Sequence, residues 1–454
     1  MGTSTLTIAA IWLCFAPLVW AQPQSDYTAA ASYVRQGRPE AAIPLLTKIL
    51  SASSSDLKAR NLLGIALMTS GHREEATVQF KKALHVDPRF HPALKNLAIN
   101  ELAMGQNQDA KVHLEQAVKL APKDAVVHFH LGQIYFNEER YGDAGVHFEL
   151  AQEGFPDRYQ AGFNLLLARV KSQDYAAAIR VGEQLLSQGH QKAELYNLLS
   201  RAYSQSGRTQ EAYDALRTAT KIDPRDETNY LDLMLLCLQL ENWDLSLEIS
   251  AIALEAIPQS YKVRLQRGAV FALKGQLEEA ENEFLAATKA APTVNLPYVA
   301  LALARIELRK FAEATQMLRE RRALSSKDYL VNWMLAEAIS REGAEPGSAA
   351  EKEAVQALED AVRLNRSAAQ PRTLLARLLV KRGDLGAAAR EFEAALKIQP
   401  DDASATYQLA LVYQKTGATQ RAEELFAKVG RARAESSSPM VPSNLIRIIR
   451  EGSQ

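Results

Sequence analysis

Residues 125–156 read AVVHFHLGQIYFNEERYGDAGVHFELAQEGFP. Two apolar stripes at helical spacing lie in this stretch, one carrying Leu131, Gly132 and Tyr135 and the other Ala144, Phe148 and Ala151, and Pro156 closes it. The closing cadence recurs along the chain: ALHVDP ends at Pro88, AVKLAP at Pro122, ATKIDP at Pro224, ATKAAP at Pro292 and ALKIQP at Pro400. From Pro88 a step of 34 residues reaches Pro122, Pro156, His190, Pro224, Pro258 and Pro292, and a parallel series runs through Ala76, Ala110, Ala144, Ala178, Ala212, Ser246 and Ala280. Gly71, Gly105, Gly207, Gly275, Gly383 and Gly417 mark a recurring turn between the stripes. Each unit therefore reads as two antiparallel helices joined by a tight turn, and the proline, unable to continue the second helix, starts the bend into the next unit.

The small residues have a packing reason. At Gly64 or Gly132 on the first helix, and at Ala76, Ala83, Ala144 or Ala151 on the second, a large side chain would force the helix axes apart. One helix pair cannot bury its own stripe, so neighbouring pairs must stack into a solenoid. The pattern resembles the tetratricopeptide repeat family, W-x2-L-G-x2-Y…A-x3-F…P, with the tryptophan mostly replaced. The resemblance implies an all-α, right-handed superhelical solenoid of about twelve 34-residue repeats spanning 23–436, with units starting at Pro23, Leu57, His91, Ala125, Tyr159, Ala193, Glu227, Tyr261, Asn295, Tyr329, Ala369 and Ala403.

Departures from the cadence are local. Gly343 to Lys352, GAEPGSAAEK, adds residues between the two helices of the tenth unit and is expected to be a surface loop. Pro44 inside the second helix of the first unit, and the missing glycine and proline in the unit from Tyr159, are expected to kink the chain. Residues 437–454 read as a spacer and a short amphipathic helix with Leu445, Ile446, Ile448 and Ile449 on its apolar side, suited to capping the last repeat.

Residues 1–21 carry an apolar run from Leu6 to Trp20 ahead of Ala21 and read as an export signal cleaved after Ala21, giving a periplasmic or secreted chain. No Lys or Arg precedes the run, so an uncleaved anchor facing the periplasm is the alternative, and only then would the chain contact a membrane. Lys and Arg together number 53, as do Asp and Glu, and the zero net charge disfavours a nucleic-acid partner. With two cysteines, Cys14 and Cys237, no disulfide framework is expected.

The common hydrolase, protease and nucleotide-binding signatures are absent, and neither catalysis nor a cofactor is expected. All eight histidines lie between His72 and His190. His128 and His130 point to different faces of one helix, and His113 and His147 sit on adjacent repeats, so packed or solvated histidines are expected rather than a metal centre. The run RERRA from Arg319 reads as a polar helix face, and Cys237 as a buried, inert thiol.

In the family, ligands are read by the second, fifth, sixth, ninth, twelfth and thirteenth positions of each unit, on the first helices lining the concave side. The fourth unit then offers Val126, Phe129, His130, Gln133, Phe136 and Asn137, and the fifth Gln160, Phe163, Asn164 and Lys171. The sixth position runs Asn96, His130, Asn164, Leu198, Asp232 and Gln266, resembling the amide ladders that hold an extended peptide by its backbone. Lys95 and Asn96 do not complete the two-carboxylate clamp of other members. What the resemblance implies is a noncatalytic scaffold binding a protein or extended peptide outside the cytoplasm. The alternative is a docking subunit of a cell-envelope complex for polysaccharide export or pilus biogenesis.

Overall fold

The computed structural model describes residues 22–435, and among these it contains twenty-four α-helices and no strand. Residues 1–21 and the segment from 436 onward, with the expected signal, Cys14 and the C-terminal helix, lie outside the described residues. The chain divides into two compact units, the first taking residues up to Gln191 with Leu198–Arg208, the second Lys192–Asn197 and residues from Thr209 onward.

The first unit stacks five helix pairs: α1 (Gln22–Arg35) with α2 (Pro39–Ala52), α3 (Leu57–Thr69) with α4 (Arg73–Val86), α5 (His91–Ala103) with α6 (Asn107–Leu120), α7 (Ala125–Asn137) with α8 (Tyr141–Ala151), and α9 (Arg158–Lys171) with α10 (Tyr175–Ser187). Helix α11 (Ala193–Gln205) is shared by the division. The second unit holds α12 (Thr209–Ile222), α13 (Glu227–Gln239), α14 (Trp243–Ala256), α15 (Tyr261–Leu273), α16 (Leu277–Ala290), α17 (Leu296–Glu307), α18 (Phe311–Leu324), α19 (Tyr329–Glu342), α20 (Ala349–Leu364), α21 (Ala369–Arg382), α22 (Leu385–Ile398), α23 (Ala403–Lys415) and α24 (Thr419–Glu435).

Local chemistry sets the helix ends. An aspartate ahead of many first helices gives its carboxylate to the first free N–H groups: Asp56 accepts from Ala59 at 2.9 Å and, two residues after a closing proline, Asp124 from Val126 at 3.0 Å and Asp402 from Ala405 at 2.9 Å. Within a pair the turn needs one residue in the left-handed region. Gly71 and Gly105 supply it at φ 87° and 75°, while at the same 34-residue step Glu139, Gln173, Glu241 and Arg309 adopt φ 60°, 63°, 56° and 61°. The unit from Tyr159 therefore keeps its turn without glycine, and α2 runs on through Pro44 as one helix.

A side chain forced left-handed costs about 1–2 kcal/mol, part of which a glycine gives back through unfolded-state freedom. Gln173→Gly and Arg309→Gly are each expected to gain about 0.5–1 kcal/mol, read as a higher urea midpoint at unchanged slope. A loss instead would mean that the side chain, and not the backbone alone, holds the turn.

The core of three of the pairs is a ring against a bare backbone. Phe80, Phe148 and Phe284 are fully buried and lie over Gly64, Gly132 and Gly268; a Cβ at Gly132 would sit 2.7 Å from two carbons of the Phe148 ring. Ala76, Ala83, Ala144 and Ala151 have no exposed surface, so both helices approach as closely as the sequence implies. In the tenth pair, only Gly343 to Ser348 of the expected loop is irregular. Ser348 caps α20, which takes up the rest, and the buried Glu351 carboxylate holds the loop by accepting the Gly347 N–H at 2.8 Å while pairing with Arg382 at 3.1 Å. Among the described residues no helix is long and apolar enough to cross a membrane.

Candidate functional site

The polar row on the first helices does two different things. Asn96 Nδ2 donates to Asn61 Oδ1 at 3.0 Å, Asn197 Nδ2 to Asp232 Oδ2 at 2.9 Å, and Gln266 Nε2 to the Leu231 carbonyl at 3.3 Å. Each bond spans 35 residues and ties a sixth position to the fifth of the preceding repeat, so these side chains lock neighbouring first helices together. His130 and Asn164 bond only along their own helices: His130 Nδ1 pairs with Gln133 Oε1 at 2.9 Å, and Asn164 Oδ1 accepts from Gln160 at 3.2 Å.

Where the row is released from lateral bonding, a cleft of about 560 Å3 opens across α5, α7 and α9 in the first unit. Helix α7 supplies His130, Gln133, Phe136 and Asn137, and α9 supplies Asn164. Ile99, Gln133 and Leu167 occupy the ninth position of three consecutive units, and Leu102 and Phe136 the twelfth of two, so the 34-residue step itself aligns them. With Gln133 presenting its oxygen, the His130 Nδ1 carries the proton and Nε2 is left as an acceptor; the Asn164 amide keeps its two N–H donors. Burial pushes the His130 imidazole below its ordinary range, which leaves it neutral at neutral pH. Donors, an acceptor and an apolar wall within one cleft can hold a peptide backbone and one of its side chains together.

Not every residue chosen from sequence reaches the cleft. Phe129 is 4% exposed: α8 ends early at Ala151, the chain turns through Gly154, and Phe155 folds back to stack on the Phe129 ring at 3.8 Å. It packs the core and is not presented as an anchor. Phe163 stacks on Tyr159 at 5.8 Å, Asn96 faces Asn61, and Asp232 and Gln266 belong to the second unit. Ile99, Leu102, Asn107 and Leu167 were not among the chosen residues although they line the cleft. Carrying the same family positions onto the third unit would have named Ile99 and Leu102.

The histidines are engaged in packing. His128 and His147 meet with their Nδ1 atoms 2.9 Å apart, His128 Nε2 donates to the Pro122 carbonyl at 3.0 Å, and the Tyr135 ring stacks on His147. His113 pairs instead with the buried Glu101 at 2.7 Å. Among the described residues no group of three or more His, Cys, Asp or Glu side chains is placed to hold a metal ion. Cys237 is buried on α13, which pushes its thiol up to about 11 and makes it unreactive at neutral pH.

The second unit has its own smaller cleft, about 210 Å3, across α17, α19 and α21, where Trp333 is surrounded by Glu307, Glu337, Arg341 and Arg377. The arginines of the RERRA run are bound within the protein. Arg319 chelates Glu353, Arg322 pairs with Asp360 at 2.8 Å, and Arg321 is buried among backbone carbonyls.

Residues 33–98, 101–168 and 169–237 match the family described as Tetratricopeptide repeat, and residues 376–417 that described as TPR repeat, together more than half of the chain. Among curated proteins, DnaJ homolog subfamily C member 3 of Rattus norvegicus is 24% identical over 209 residues, 43% of this chain and 42% of that protein. Human protein O-mannosyl-transferase TMTC1 is 26% identical over 210 residues, 45% of this chain and 24% of that protein. The chain thus matches less than half the length of these relatives. Of solved structures, yeast Tom70 aligns with 95% of this chain and 95% of its own at 16% identity and a TM-score of 0.45, and the APC/C hetero-tetramer Cut9-Hcn1 with 96% and 97% at 13% and 0.43. The family matches cover the three repeats that build the cleft apart from residues 99 and 100, and the chain belongs to the tetratricopeptide repeat family.

Proposed function

We propose that this scaffold for protein–protein interaction binds an extended segment of a partner protein in the cleft between α5, α7 and α9, without catalysis of its own. One observation carries the reading: five side chains selected from the repeat register, His130, Gln133, Phe136, Asn137 and Asn164, converge on a single cleft with hydrogen-bonding groups left open toward it. Amides at this spacing can both donate to and accept from a peptide backbone, and Phe136 offers the apolar contact that dominates small interfaces. The binding takes place outside the cytoplasm, a location that rests on the apolar leader ending at Ala21.

The test places a photo-crosslinking residue at Asn137, exposed at the rim of the cleft, and at Val146, exposed on the second helix of the same pair, in the full-length chain in its native cells. A partner is expected to crosslink from position 137 and to be lost in a Phe136→Ala, Asn164→Ala variant, with affinity falling by roughly 30-fold, or about 2 kcal/mol. Equal capture from position 146, insensitive to both substitutions, would move recognition away from the cleft. Periplasmic fractionation and the mass of the mature N-terminus check the location.

A further inference from the structure

We infer that the cleft between α5, α7 and α9 selects an uncharged, apolar side chain from its bound segment and excludes a charged one; this rests on the peptide-binding reading above. Although 23% of the chain is Asp, Glu, Lys or Arg, none of the side chains lining this cleft belongs to those types. Several charges on the helices around it are tied to one another. Lys95 pairs with Asp124 at 2.8 Å, Lys111 with Glu138 at 2.7 Å, and Glu101 with His113 at 2.7 Å. The one titratable lining group, His130, is held neutral by burial, which outweighs the opposing pull of its bond to Gln133 and of Asp124.

Concavity alone does not produce such a lining. The cleft across α17, α19 and α21 uses the same repeat positions on three consecutive first helices, and Glu307, Glu337, Arg341 and Arg377 line it. The first cleft is therefore set apart by its side chains and not by its place in the repeat. Ile99 and Leu102 on one wall and Leu167 on the other would take an aliphatic or aromatic side chain between them, over Phe136. An ammonium, guanidinium or carboxylate there would lose hydration and meet no opposite charge, which costs far more than an apolar contact returns. The ligand class is accordingly an extended segment whose anchor is Leu, Ile, Met or Phe, held along its backbone by Gln133, Asn164 and the His130 acceptor.

The probe is a phage-displayed random dodecapeptide library, panned on the full-length protein at neutral pH, with wild type, Gln133→Glu and Phe136→Ala, Asn164→Ala compared at matched thermal stability. Wild type is expected to enrich peptides with an uncharged run around an apolar anchor. In a synthetic copy of the leading peptide, changing that anchor to Asp or to Lys should each weaken binding by at least about tenfold, while an exchange of Leu for Met costs little. Gln133→Glu, which adds one carboxylate with almost no change of shape, should turn enrichment toward Lys- and Arg-bearing peptides. Charged anchors enriched by wild type but lost in the Phe136, Asn164 variant would overturn the selectivity and leave the peptide site standing. Enrichment indifferent to that variant, or none at all, would overturn both.

Discussion

Phe148→Ala is expected to destabilise the first compact unit by about 3–5 kcal/mol, the range for removing a fully buried phenylalanine. The ring is 1% exposed and fills the space over Gly132, where no side chain exists to relax into the hole. Of the buried side chains clustered with it, Ala144, Ala151, Ala161 and Ala168 are too short to reach in, which leaves Phe129 and Leu165 as the ones that could shift toward the hole. Because Phe148 also forms part of the cleft floor, peptide binding should fall together with stability. Amide hydrogen exchange will place the loss: protection should drop first in α7 and α8, since each repeat depends mainly on its neighbours. The converse substitution, Gly132→Ala, pushes a methyl into the same ring and should cost about 1–3 kcal/mol. Val146→Ala, at a position 51% exposed on the same helix, should change stability by less than about 0.5 kcal/mol. A shift of under about 1 kcal/mol for Phe148→Ala would contradict a close-packed pair.

Arg321→Leu is expected to cost the second unit about 2–4 kcal/mol, more than any surface charge there. The side chain is 7% exposed; its guanidinium donates to the Pro292 carbonyl at 2.8 Å, the Thr293 carbonyl at 2.5 Å and Asn295 Oδ1 at 2.5 Å, and lies over the Tyr298 ring. Removing it takes the charged donor from three acceptors at the entry to α17, of which the Pro292 carbonyl keeps the Tyr298 hydroxyl at 3.3 Å, and bonds to charged donors are worth about 1.5–3 kcal/mol each before non-additivity. Arg319→Leu serves as the comparison. Its pair with Glu353 is solvent-exposed, and its loss should cost less than about 1 kcal/mol and fade with added salt. Denaturation followed through Trp243 and Trp333 reads both. Equal effects of the two variants would reduce Arg321 to one more surface charge.

These two residues mark what the sequence discloses and what it withholds. Phe148 is legible because packing repeats: a ring opposite a glycine recurs at Phe80, Phe148 and Phe284, spaced by whole multiples of 34 residues, and the helix pairs follow from that register. Arg321 is not legible, since the run RERRA looks like any polar helix end until the loop before α17 folds beneath it. The turns at Glu139, Gln173, Glu241 and Arg309 are hidden for the same reason, as the neighbouring helices impose a backbone state that those residues do not prefer. In the cleft, the register picked out His130, Gln133, Phe136, Asn137 and Asn164. It misjudged Phe129 because the early end of α8 and the return of Phe155 break the periodicity on which the choice depended. It also gave no hint that half of the polar row is spent on bonds between repeats. Those 35-residue partners are one step off the period, and only the stacking offset brings them together.

The left-handed turns face open space: a Cβ built at Gly37, Gly71, Gly105, Gly207, Gly275, Gly383 or Gly417 meets nothing within 4 Å. These seven helix pairs thus each offer a port at the turn where new chain can be spliced in without meeting the stack. The tenth pair has already used one, between Gly343 and Ser348, and has fastened the addition with Glu351. An array built this way can gain a partner by decorating its edge while keeping the partner it already holds, so its rim and its groove are free to evolve as separate instruments.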